Sequence, residues 1–111
     1  MEACESLCNN YIECEIIDPI VFFCNDNVET NENIIKGNYY SYSITNKGKH
    51  KINFKDKIKY ISFRNSLNLY SIDFTHFDTS NIRDMSDMFN QCGKLKEIRG
   101  INKFIQIKLL I

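Results

Sequence analysis

At 111 residues, with 43% hydrophobic and 25% charged side chains, the chain has the size and composition of one ordinary globular domain, which excludes disorder throughout. Its formal charge of zero divides unevenly: residues 1–35 hold eight acids and no Lys or Arg, whereas 36–111 hold fourteen bases against six acids. The split predicts an acidic arm lying on a basic body, or separate partners for the two halves, or simply two solvated surfaces.

The N-terminus, MEACESLCNN, is acidic and polar and lacks the basic and apolar regions of a secretory signal, so the chain as written is expected to remain cytoplasmic. No stretch is apolar enough to encode a transmembrane helix. Cys4, Cys8, Cys14 and Cys24 follow as CxxxC and then wider gaps, with no histidine before His50. Zinc sites favour CxxC-like pairs, and five cysteines in the chain is an odd number, so free thiols are expected, with no metal and no cofactor. From Glu13 to Cys24, ECEIIDPIVFFC places Asp18 and Pro19 between two short apolar runs. That pattern predicts either a turn between strands or one strand interrupted at its edge, with Ile20 to Phe23 buried. Residues 25–38 have no sustained period and are expected to form a loop.

Tyr40, Tyr42 and Ile44 alternate before Asn46, Lys47 and Gly48, and His50, Ile52 and Phe54 alternate after them, which predicts a β-hairpin. Lys49, Lys51, Lys55, Lys57 and Lys59 line its other side. They are compatible with an anionic surface or a nucleic-acid backbone, with Phe54 and Tyr60 near for stacking. Lysines also protect an edge strand from pairing with a neighbour, and the aromatics alternate away from the basic side.

The stretch from Asn65 to Phe104 is a repeat. A shift of 26 residues sets Phe63 on Phe89, Leu69 on Leu95 and Ile72 on Ile98. That period lies inside the ~20 to 29 residues of leucine-rich repeats. Each copy opens with a strand-like LxxIxF (Leu69, Ile72, Phe74). Asp78, Thr79, Ser80 and Asn81 are N-cap candidates, and Ile82, Met85 and Phe89, with Met88 beside them, predict one buried face of a helix.

At Phe77, Asp78, Thr79, Ser80, Asn81, Ile82, Met85, Ser86, Met88, Phe89, Cys92, Leu95 and Ile98, the stretch FDTSNIRDMSDMFNQCGKLKEI resembles the repeat of BspA-like leucine-rich repeat surface proteins, also found in Mycoplasma as a domain of unknown function. The likeness covers about the last 45 residues. The earlier copy departs from it, with Lys59, Ser62 and Ser66 where Met85, Met88 and Cys92 stand, and Gly100 is an extra residue. The resemblance implies a solenoid used for adhesion or protein recognition at the cell surface, with Cys92 in a structural position and no catalytic residues to carry over.

Taken together, these readings predict an α+β repeat fold: a small antiparallel β cap followed by a short, incomplete strand–helix solenoid. Residues 1–60 form the acidic arm and hairpin cap, and 61–111 about one and a half repeats. The expected function is a non-catalytic protein-interaction module, since no GxSxG, HExxH, phosphate loop or dinucleotide fingerprint occurs. His76, Cys92 and one of several Asp residues are the residue types of a Cys–His nucleophile pair, but His76 is expected at the end of a strand and Cys92 stands at the structural position of the repeat, so catalysis is not expected. The polar positions of the strands, Ser71, Asp73, Thr75, Glu97 and Arg99, are the expected partner-binding residues, and binding to an anionic surface through Lys49, Lys51, Lys55, Lys57 and Lys59 is the alternative. After Phe104 the repeat pattern calls for another turn, yet the chain reads IQIKLLI; a one-nucleotide shift in A/T-rich codons converts Ile105–Ile111 to NTNKVTN. A truncated or frameshifted piece of a longer repeat protein is therefore expected, self-associating through an uncapped C-terminal end, with a closing strand at Ile105–Ile111 as the alternative.

Overall fold

The apolar runs on either side of Asp18 and Pro19 form two strands, β1 (Tyr11–Ile16) and β2 (Ile20–Cys24). Each buries alternate residues: Ile12, Cys14 and Ile16 on β1, and Ile20, Phe22 and Cys24 on β2. The two strands lie in different sheets. In the computed structural model, which describes residues 10–103, six more strands follow: β3 (Ile34–Lys36), β4 (Ser41–Ile44), β5 (Gly48–Asn53), β6 (Ile61–Ser62), β7 (Leu69–Asp73) and β8 (Glu97–Arg99). They assemble as two four-stranded sheets, ordered β5-β1-β7-β8 and β3-β4-β2-β6. All pairs are antiparallel except β7–β8.

The inward residues of both sheets make one core. Rings run through it in sequence, Tyr42 on Phe22 at 5.5 Å, Phe22 on Phe63 at 5.2 Å, Phe63 on Phe89 at 6.5 Å, Phe89 on Phe74 at 6.1 Å, Phe74 on Phe77 at 6.1 Å and Phe77 on Phe54 at 5.1 Å. Offset and tilted pairs at such separations add to the burial of each ring. Buried Asn10 ties the start of the chain to its later parts: its amide donates to the Asp56 carbonyl (3.2 Å), and its side-chain oxygen accepts from the Asp78 N–H (2.8 Å).

The predicted hairpin is corrected. Tyr42, Ile44, Ile52 and Phe54 are buried as their alternation implies, but β4 pairs with β2 and β3 while β5 pairs with β1. The short link between β4 and β5 crosses from one sheet to the other, because each strand presents its apolar side to the common core from the opposite direction. Tyr40 turns outward at a φ of 66°.

The predicted helix is also corrected, and with it the strand–helix, leucine-rich-repeat solenoid. Among the described residues the one helical element is a single 3-10 turn, Ile101–Lys103. Residues 78–95 instead run as successive tight turns, with Ile82 N–H on Thr79 O, Met88 N–H on Met85 O, Cys92 N–H on Phe89 O and Leu95 N–H on Cys92 O. Three causes act together. Asp78 and Asp84 accept from the N–H and hydroxyl of Ser80 and Ser86 at 2.7–3.0 Å, so side chains take the donors a helix would use. Asp87 and Gln91 sit at φ of 60° and 65°. The backbone is further spent on the preceding stretch, through Arg83 N–H to Lys59 O (3.0 Å), Phe63 N–H to Met88 O (2.8 Å) and Asn65 N–H to Asn90 O (2.7 Å). Apolar spacing near three suits such turns as well as a helix: Met85 and Met88 are buried, and Ile82, Phe89, Cys92 and Leu95 pack partly against the core.

The last strand pairs in spite of the extra residue. Ser71, Ile72 and Asp73 face Glu97, Ile98 and Arg99 in parallel register, an offset of 26. Gly100 ends the strand at a φ of 74°, where a Cβ would come within 2.7 Å of the Thr75 nitrogen. Cys4, Cys8 and the segment Phe104–Ile111 lie outside the described residues.

Candidate functional site

Alternation along β1, β5, β7 and β8 sends one set of side chains into the core and leaves the other on the outer face of the sheet. Register then decides the neighbours. One row across the sheet reads Lys51, Glu13, Asp73, Arg99, and the next Lys49, Glu15, Ser71, Glu97. These eight side chains line a groove of about 460 Å3, together with Cys14 and His50. It is a concave, chemically dense surface on the outside of this sheet.

Hydrogen bonds set the charges of this face. Thr75 Oγ1 donates to Asp73 Oδ1 at 2.5 Å and the Thr75 N–H at 2.8 Å. The Thr75 hydroxyl first, then its N–H and the charges of Arg99 and His76, hold the Asp73 carboxyl below its usual range, against a raising influence of partial burial. Arg99 Nε donates to Glu97 Oε2 at 2.6 Å, which raises the guanidinium's already high pKa. At one end of the face the His76 ring stacks on Tyr11 at 4.9 Å, and Lys51 Nζ stands 4.3 Å from the centre of the same Tyr11 ring.

The structure therefore brings together Ser71, Asp73, Glu97 and Arg99 of the expected partner-binding set, with Thr75 just beyond the end of β7 fixing Asp73. Of the basic set it brings Lys49 and Lys51 to the same face, whereas Lys55, Lys57 and Lys59 lie past β5 on the connection to β6, outside the groove. Glu13 and Glu15 stand directly across from Lys51 and Lys49, so the five lysines do not form one basic track. Sequence reasoning missed these two glutamates and the Tyr11–His76 stack. The signal was present in the alternation Tyr11, Glu13, Glu15 between buried Ile12, Cys14 and Ile16, but the row that a strand joins depends on its partners.

His76 and Cys92 are each engaged elsewhere: His76 on Tyr11, and Cys92 Sγ at 3.0 Å from the Phe63 carbonyl. Burial pushes the Cys92 thiol pKa up. Among the described residues no group of three or more His, Cys, Asp or Glu could hold a metal ion, and no helix is long and apolar enough to cross a membrane. Comparison with family models, curated proteins and solved structures finds no match to the chain.

Proposed function

We propose that the chain is a non-catalytic protein-recognition module of the adhesion or scaffold kind, in keeping with its BspA-like sequence, and that the outer face of the β5-β1-β7-β8 sheet is its binding surface. The carrying observation is the groove itself, in which two rows of mixed charge, Lys51, Glu13, Asp73, Arg99 and Lys49, Glu15, Ser71, Glu97, span four strands. A polar, mixed-charge groove supplies specificity to a peptide or loop of complementary pattern: matched charges fix register, and mismatched ones repel. The second reading, a polyanion surface, has Lys49 and Lys51 in its favour, and against it the glutamates facing both.

The test is selection of binders from a displayed random-peptide library, followed by affinity measurement on Glu13→Ala and Lys51→Ala. Under this proposal, selected peptides lose about tenfold or more on both variants and weaken only modestly as salt is added, since a few matched pairs are screened without the release of many counterions. Binders indifferent to both substitutions would sink it. Tight binding of polyuridylate that collapses as salt rises would replace it with the polyanion reading.

A further inference from the structure

Among the described residues the sheet ends at β8, and the layer of chain that includes β8 is covered less well than its counterpart 26 residues earlier. Phe63, Leu69 and Ile72 are at most 1% exposed, whereas Phe89 and Leu95 are only partly buried and Ile98 is 36% exposed. On the outward edge, N–H directions alternate along the strand: Lys96 N–H points to β7, where it bonds Tyr70 O at 2.8 Å, so the Glu97 N–H points away from the sheet. An exposed edge beside an incompletely covered apolar layer is a template for another strand.

We propose that β8 pairs antiparallel with β8 of a second copy of this chain about a two-fold axis at Ile98. The charge order of the strand selects this occupant. In an antiparallel pair centred on Ile98, Glu97 faces Arg99 of the second copy and Arg99 faces its Glu97, flanking an Ile98–Ile98 contact. The same strand that is neutral in itself is thus complementary to its own rotated image. The opposite edge, β5, carries Lys49 and Lys51 on its outer side, so in a head-to-tail β8–β5 stack with matched rows one lysine faces Glu97 and the other faces Arg99, and the two charge pairs offset where the β8–β8 pair has both complementary. The two sheets then join into one of eight strands, and the half-covered Phe89, Leu95 and Ile98 gain a neighbouring surface. This pairing uses the strand edge and stands whether or not the outer face takes a ligand.

Sedimentation equilibrium of the full chain across a concentration series reads the association. The wild type forms dimers reversibly, and Glu97→Arg or Arg99→Glu alone raises the dissociation constant by about tenfold or more, because each places two like-charge pairs across the axis. An equimolar mixture of the two variants regains the dimer, since one then offers two bases to the other's two acids; contacts within a chain are not restored by mixing. Should a reversal unfold the chain, Ile98→Cys serves instead. Directly opposed residues of a non-hydrogen-bonded antiparallel pair have Cα atoms about 4.5 Å apart, within disulfide reach, so this variant oxidises to covalent dimers faster than the wild type. A wild type that stays monomeric at every concentration overturns the proposal. So does dimerisation undiminished by either charge reversal, which would place the contact on another surface.

Discussion

Cys14 and Cys24 show what burial does to a single side chain. Each occupies an inward position of its strand, and desolvation pushes both thiols from near 9 to about 12, with Asp26 adding a smaller upward influence on Cys24. Both should therefore resist a thiol-modifying reagent at pH 8 until the chain unfolds, and rapid modification of either in the folded protein would show that the core opens locally. The same shifts carry a pH dependence. In the unfolded chain the thiols ionise near 9, whereas the folded chain holds both protons until about 12. Their contribution is thus complete below about pH 9 and is lost as pH rises from 9 towards 12, at up to about 1.4 kcal/mol per pH unit for each thiol. Urea unfolding of wild type and Cys14→Ala across that range checks the sign: the variant should start less stable and lose stability less steeply.

At the scale of an element, residues 78–95 pose the sharpest contrast between a helix and a string of turns. Asp87 is the place to ask, because its φ of 60° belongs to the left-handed region and its carbonyl accepts from Asn90 N–H and Ser62 Oγ. In an exposed helix, Asp87→Ala would stabilise and Asp87→Gly would cost stability. The turn reverses that order: Asp87→Ala should destabilise by about 1 kcal/mol or somewhat more, and Asp87→Gly should be close to neutral. Thermal or urea unfolding of the pair decides between the two conformations. Asp84 adds a weaker indication, since hydrogen bonds from the Ser86 hydroxyl and then its N–H hold the carboxyl below its usual range. Stability from Asp84 is accordingly present above the ordinary carboxylate pKa and lost as pH falls through the lowered one.

Over the whole molecule, both sheets are built across residue 60. β7 lies against β1, and β6 against β2, so the repeat-like C-terminal part supplies strands to sheets whose other members come from the N-terminal part. A radius of gyration of 13.0 Å agrees with a compact domain of about 100 residues, for which ~13 Å is expected. A fragment of residues 61–111 would keep β6, β7 and β8 and lose the inward residues of β1 and β2, Phe22 among them. It should show no cooperative unfolding transition, whereas the full chain unfolds in one. A sharp transition in the fragment would mean that the C-terminal part has a core of its own.

The amino-acid sequence by itself determined which side chains face inward along several strands, because strand alternation is a local property: Tyr42 and Ile44, and Ile52 and Phe54, are buried. Of the run expected to be buried from Ile20 to Phe23, Ile20 and Phe22 are inward while Val21 is exposed and Phe23 half-buried, and Leu69 and Ile72, three residues apart, are both buried only because the pairing with β1 shifts register between them. The sequence also held the offset of 26 that places Ile72 beside Ile98, since stacked stretches of one chain need matching apolar residues. Only the tertiary structure decided that the two strands around Gly48 part to different sheets, and that the spacing of Ile82, Met85 and Met88 serves turns. Pairing partners and backbone hydrogen bonds are contacts between residues far apart in sequence, and a period near three is common to a helix and to consecutive tight turns. The groove belongs to the same class: Glu13, Lys51, Asp73 and Arg99 are scattered along the chain and become one row only through the register of four strands.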